Sequence, residues 1–182
     1  MIWIVLAVIV LLGLFAIVSY NGLIRGRNQV ENAWSQIDVQ LKRRIDLIPN
    51  LVETVKAYAA HEKDTLDAVV RARNSAIAAP STPAGQGEAD IAMTGALRQL
   101  FALSESYPDL KANTNFLALQ EELSATEGRV AYSRQFYNDS VLNYNNKLQA
   151  FPTVFFAKML KFDKREYFET DEAAREVPKV QF

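Results

Sequence analysis

Residues 111–150 read KANTNFLALQEELSATEGRVAYSRQFYNDSVLNYNNKLQA. Phe116, Leu123, Val130, Tyr137 and Tyr144 recur every seven residues, and Leu119, Val141 and Leu148 widen the same stripe. A seven-residue apolar period sustained this long lays one face of a long helix along its neighbours at a shallow angle, as in a bundle or coiled coil. Gly is scarce, with 7 residues in 182, and good helix formers are plentiful. No strand-like alternation bounded by turn pairs occurs. The class implied is all-α. Gln120, Glu127, Arg134, Asn138 and Asn145 fall within or beside the stripe. Buried charges are costly unless paired, so Glu127 and Arg134 are expected to find partners across the bundle among Arg27, Asp38 and Arg44. A polar network of Arg27, Asp38, Arg44, Glu127, Arg134, Asn138 and Asn145 would fix helix register. The competing expectation is that Glu127 and Arg134 sit at the stripe's edge and reach water.

Upstream, Val30, Trp34, Ile37, Leu41, Ile45 and Ile48 recur at steps of 3 or 4 and predict a helix over residues 19–48. Pro49 has no backbone N–H, so it kinks that helix or starts a new one. The pattern resumes with Val52, Val55, Tyr58, Ala59, Leu66, Val69, Val70 and Ile77, read as one rod bent near Pro49. Residues 79–90 hold two prolines and two glycines and predict a loop. A short helix with Ile91, Leu97, Leu100, Phe101 and Leu103 follows, and residues 106–109 break it.

At the amino end, Ile2 to Val18 carries no charged or strongly polar side chain. Extended through Tyr20, a helix with ~1.5 Å rise per residue spans roughly 28 Å, close to the ~30 Å hydrocarbon thickness of a bilayer. Trp3 and Tyr20 bracket it as aromatic interface anchors. The n-region carries no basic side chain, and Leu14 or Ile17 would stand at −3 of the available cleavage sites, so a retained anchor is expected over a signal peptide. Arg25 and Arg27, then Lys42, Arg43 and Arg44, follow the span. The positive-inside rule puts the amino terminus outside and the following domain in the cytoplasm of a bacterial cell, the periplasmic or extracellular side being the alternative. The chain has no Cys, which fits either compartment.

Beyond the long helix, Pro152 and Thr153 start a short helix with Phe151, Phe155, Met159 and Phe162 along one side and Lys158 and Lys161 able to snorkel. It reads either as a cap on the bundle or, with Phe156, as an interfacial or docking surface. Residues after Asp163 read as a loose tail of mixed charge. The domains expected are a transmembrane helix over 1–20, a helical bundle over 21–162 and a tail over 163–182.

Arg27-Asn28-Gln29-Val30, residues 33–44 (AWSQIDVQLKRR), residues 46–56 (DLIPNLVETVK) and His61-Glu62 resemble the signature of the LemA family. Residues 107–113 (YPDLKAN), Phe116, Leu119-Gln120, Glu122-Leu123, Thr126-Glu127 and Tyr137-Asn138 are similar to its second block, with Phe136 a departure from it. Tyr144-Asn145, Phe151-Pro152 and Tyr167-Phe168-Glu169 resemble its end. The resemblance implies a bacterial membrane protein with one amino-terminal span and an antiparallel, up-and-down four-helix bundle. It brings no known reaction, and implies by analogy a structural role at membranes.

Chemistry is weakly signalled. One His and no Cys argue against a metal centre, and residues 61–65 (HEKDT) lack the second histidine of a zinc helix. Glu121 and Glu122 read as a solvated helix face, and no phosphate loop is present. A formal net charge of −1 argues against a nucleic-acid partner. No cofactor and no small-molecule substrate are expected. The function expected is a non-enzymatic, membrane-anchored helical scaffold, self-associating or docked to another membrane protein, with the lipid bilayer as its other partner and a role in organising or remodelling membrane. An apolar outer face containing Val39 and Leu47 would mark an interface. The rival is a phosphotransfer bundle using His61.

Overall fold

The computed structural model describes residues 1–168, which hold six α-helices and no strand. These are α1 (Ile2–Lys56), α2 (Lys63–Ala78), α3 (Pro83–Ser104), α4 (Pro108–Lys111), α5 (Thr114–Gln149) and α6 (Thr153–Met159). The all-α class is confirmed. Of the tail over 163–182, residues 169–182 lie outside the described residues. The described chain divides into two compact units: one holds Met1–Ile37 and Ser133–Tyr167, the other residues 38–132 and Phe168. Helices α1 and α5 contribute to both.

Helix α1 runs unbroken for 55 residues, through Pro49. A proline inside a helix orphans the carbonyl four residues earlier, here that of Ile45. That carbonyl is taken up by another helix: Arg73 Nε on α2 donates to Ile45 O at 3.3 Å. Thr54 Oγ1 in turn donates to the Asn50 carbonyl at 2.8 Å. No new helix starts at Pro49, but the single rod expected through Ile77 is corrected to two helices, because the chain turns between Lys56 and Lys63.

In the first unit α1 and α5 pack antiparallel. Trp34 stacks at a tilt on Tyr137 with ring centroids 5.6 Å apart. A Cβ on Gly26 would stand 3.1 Å from Cδ2 of Tyr144, so the glycine lets the buried ring close against α1. Leu23, Val30, Ala33 and Ile37 of α1 are buried here, with Tyr137, Val141, Tyr144 and Leu148 of α5. The residues after α6 are held as well. Asn145 accepts from Arg165 N at 3.0 Å and donates to Arg165 O at 2.9 Å, while Tyr137 donates its hydroxyl to Glu166 O at 2.9 Å. Arg165 and Glu166, in the stretch expected to be loose, are therefore pinned: two α5 side chains satisfy their backbone groups.

In the second unit one core takes side chains from five helices, among them Ile48, Leu51 and Val55 of α1, Leu66 and Val69 of α2, Met93, Leu97 and Leu100 of α3, Leu110 of α4, and Phe116 and Leu123 of α5. The loop expected over 79–90 is corrected to 79–82, because α3 already begins at Pro83. Thr82 caps it by accepting from Gly85 N at 3.2 Å, and Pro83 occupies the first turn, where its missing N–H costs nothing. The small residue at 85 answers to packing: a Cβ there would meet Pro80 O at 2.9 Å. Gln86 closes the turn by donating to the carbonyls of Ala79 and Pro80.

The seven-residue seam of α5 is buried at every step from Phe116 to Tyr144. Three residues after Leu123, Val130 and Tyr137 come Thr126, Ser133 and Ser140, which are buried too. Thr126 and Ser140 donate back to the carbonyls of Glu122 and Phe136 at 2.7 and 2.8 Å, so these hydroxyls are satisfied within their own helix. Bulky and small residues thus alternate along the seam.

Candidate functional site

Two places concentrate unusual chemistry, one in each unit. The first is the surface around α6. Phe156 packs on Phe15 of α1 with centroids 5.8 Å apart, Phe162 packs edge-on against Tyr20 at 6.1 Å, and the Arg27 guanidinium lies over the Phe162 ring at 6.0 Å. Ala157 is buried beneath the helix. Lys161, at φ 54°, adopts the left-handed conformation that ends α6, and Phe162 N donates back to Ala157 O at 3.0 Å, a Schellman-type close that turns the chain toward Arg165. Phe151, Phe155 and Met159 remain 81, 64 and 69 % exposed.

The second is a buried ion pair. Arg44 of α1 is 2 % exposed, and its NH1 meets Asp90 Oδ1 of α3 at 2.6 Å. Its NH2 lies 3.7 Å from Glu127 of α5, a half-exposed carboxylate. Arg44 thereby ties three helices together. It also lines a cleft of about 480 Å³, with Arg98, Phe101, Glu105, Gln120 and Glu127 around it. Outside the cleft, Arg43 binds Glu122 at 2.6 Å.

The polar residues singled out in the sequence divide between these places. Arg44 lies 3.7 Å from Glu127, and its close partner is Asp90, within the helical part of the stretch expected to be a loop. Asn145 is buried and serves the chain after α6. Arg27 pairs with Glu31 at 3.8 Å in the first unit, and Asp38 is exposed in the second. Arg134 and Asn138 are half-buried on α5. Trp3 is exposed near the start of α1, and Tyr20 is partly exposed beside Phe162. Val39 is exposed, while Leu47 packs partly buried against the core of the second unit. The two therefore do not make a common outer face.

His61 lies exposed in the turn between α1 and α2, off any helix, so the helical-surface histidine of a phosphotransfer bundle is not formed. Its neighbour Glu62 accepts from the Tyr107 hydroxyl at 2.8 Å, and that bond, together with burial, raises the phenol above its ordinary value of 10.0. Asn113 donates its amide to the Tyr58 hydroxyl oxygen at 2.9 Å and caps α5 by accepting from Asn115 N and Phe116 N. The turn that holds Tyr58 and Glu62 is thus hydrogen-bonded to the 107–113 block. Among the described residues, no group of three or more His, Cys, Asp or Glu could hold a metal ion. Among the described residues, one helix, α1, is long and apolar enough to cross a membrane.

The LemA family model matches residues 33–182. Among curated relatives, Protein LemA of Metamycoplasma hominis is 29 % identical over 158 residues, which cover 85 % of this chain and 71 % of the relative. Magnetosome protein MamQ of Magnetospirillum gryphiswaldense is 25 % identical over 177 residues, and Magnetosome protein MamQ 2 of Paramagnetospirillum magneticum is 24 % identical over 178. Each alignment covers 84 % of this chain and 65 % of the magnetosome protein, just under two thirds of its length.

Proposed function

The chain belongs to the LemA family, and on that footing we propose that it is a membrane-anchored, non-enzymatic helical scaffold that self-associates or docks another membrane protein. The observation that carries this reading is the continuity of α1. Its first 17 residues, Ile2 to Val18, are apolar and nearly all exposed, and from Leu23 onward the same helix supplies core side chains without a Gly/Pro linker. Such a helix fixes where the packed helices stand with respect to a bilayer. The likeness to two magnetosome proteins supports a part in organising or remodelling membrane. Arg25 and Arg27, next to the span, favour a bacterial cell-membrane protein with a cytoplasmic domain.

Crosslinking of the full chain in native membranes tests the scaffold. A ladder of self-crosslinked species, or a discrete adduct with another membrane protein, is expected. A chain that stays monomeric and unadducted at every crosslinker length refutes it. The chain has no cysteine, so a single Tyr132→Cys variant reports orientation. A membrane-impermeant thiol reagent should label it only after the cells are opened.

A further inference from the structure

We propose that α6 is an interfacial helix that lays Phe151, Phe155 and Met159 into the bilayer leaflet beside the point where α1 leaves it. This rests on reading Ile2–Val18 as the span.

Depth comes first. Phe156 packs on Phe15, which stands three residues inside the end of the apolar run at Val18. At ~1.5 Å per residue that is about one helical turn inside the hydrocarbon edge, and interfacial helices bury their apolar faces roughly 5–10 Å into this boundary. At the other end, Phe162 lies by Tyr20 and under Arg27, where an aromatic ring and a guanidinium belong at the water side. The stretch from Phe156 to Phe162 therefore passes from the apolar level to the headgroup level.

Orientation follows. Phe151, Phe155 and Met159 are spaced by four residues and lie on one side, opposite the buried Ala157 that faces the protein. Their exposure faces outward by construction. Lys158, on the same side, and Lys161, at its end, are exposed, and their stems are long enough to carry the ammonium groups back to water.

Continuity identifies the occupant. Through Phe156, beside its outward face, α6 adjoins the α1 segment at Phe15, and the residues before it (Val8, Ile9, Val10, Leu11, Leu12 and Leu14) are all exposed. The medium that covers these residues of the span reaches α6 at the same level. A helix of seven residues is too short to cross a bilayer and can only lie in one face of it.

The absence of cysteine lets three single-cysteine variants be spin-labelled on the full chain in phospholipid vesicles: Phe155→Cys, Val8→Cys in the span and Tyr132→Cys on the exposed side of α5. Collisions with oxygen, which concentrates in lipid, are compared with collisions with a water-soluble nickel chelate. Phe155→Cys should resemble Val8→Cys, oxygen-rich and chelate-poor, while Tyr132→Cys gives the reverse. A label at 155 as chelate-accessible as that at 132 overturns the inference while leaving the span intact. A label at 155 shielded from both reagents also overturns it, because another protein surface then covers α6. If the label at 8 is itself chelate-accessible, the reading of the span fails, and the inference falls with it.

Discussion

The carbonyl that Pro49 orphans allows a sharp test of how α1 survives a proline. Arg73→Met keeps the stem of the side chain and removes the donor to Ile45 O. A hydrogen bond from a charged donor contributes about 1.5–3 kcal/mol. At 3.3 Å, slightly beyond the usual 2.7–3.2 Å range, and at a half-buried site, the contribution falls to the bottom of that range or just below it, about 1–1.5 kcal/mol. Pro49→Ala restores a backbone N–H to the same carbonyl and removes a penalty of up to about 3 kcal/mol. In that background the carbonyl no longer needs Arg73, so Arg73→Met should cost little. The double-mutant cycle should then show coupling of about 1 kcal/mol, well above the ~0.3–0.5 kcal/mol of independent sites. The assay is urea unfolding of the full chain in detergent micelles, followed by helical circular dichroism, with slopes compared among the four proteins. Additivity within that margin would refute the argument: Arg73 would then support α2 or solvent contacts and owe nothing to the proline.

Other expectations follow from the same structure. Asp90→Ala leaves Arg44 buried beside a more distant, half-exposed Glu127 and should cost about 3 kcal/mol, whereas Arg44→Met with Asp90→Leu should recover most of that loss. A single-mutant loss below about 1 kcal/mol, read from the urea midpoint, would show that the pair is not needed. Burial raises the Tyr137 phenol above its ordinary 10.0, so its contribution is complete below about pH 10 and is lost as pH rises through the folded-state value. Tyr137→Phe should lose about 1 kcal/mol at neutral pH, show faster amide exchange after residue 162, and flatten the alkaline limb of the stability profile; an unchanged alkaline limb would contradict this. Gly22→Ala, with open space around its Cβ, should stabilise α1 by about 0.5–1 kcal/mol. Gly26→Ala should lose that gain against the buried Tyr144 ring, and equal gains at both sites would show that the ring yields freely.

What was legible in the chain was what a single helix decides for itself. The burial of Phe116, Leu123, Val130, Tyr137 and Tyr144 follows from their period, because residues seven apart return to one face whatever that face meets. The burial of Thr126, Ser133 and Ser140 was not legible, since small hydroxyls become core residues only where a partner helix comes close. The start of α3 was hidden by composition. Pro83, Gly85 and Gly87 look like a loop until one sees that the first is in the opening turn and the second lies against Pro80. That error also concealed Asp90, 46 residues from its partner Arg44. The anchoring of Arg165 and Glu166 is illegible for another reason: Asn145 and Tyr137 bind their backbone atoms, which leave no mark on the side-chain sequence.

The grip of Asn145 has a consequence for what the chain can become. A carboxamide carries one acceptor atom and one donor atom, and here each binds the N–H or C=O of the same residue. It therefore recognises position 165 as a peptide unit and is blind to the identity of the amino acid there. The arginine adds only an exposed pair with Glu31, of the kind worth about 0–1 kcal/mol. Nineteen side chains would satisfy such a reader, and proline, which has no amide hydrogen, is the one it refuses. Sequence drift at this position should be wide, with that single exclusion, whereas Asn145 itself has no substitute that keeps both hydrogen bonds at the same reach.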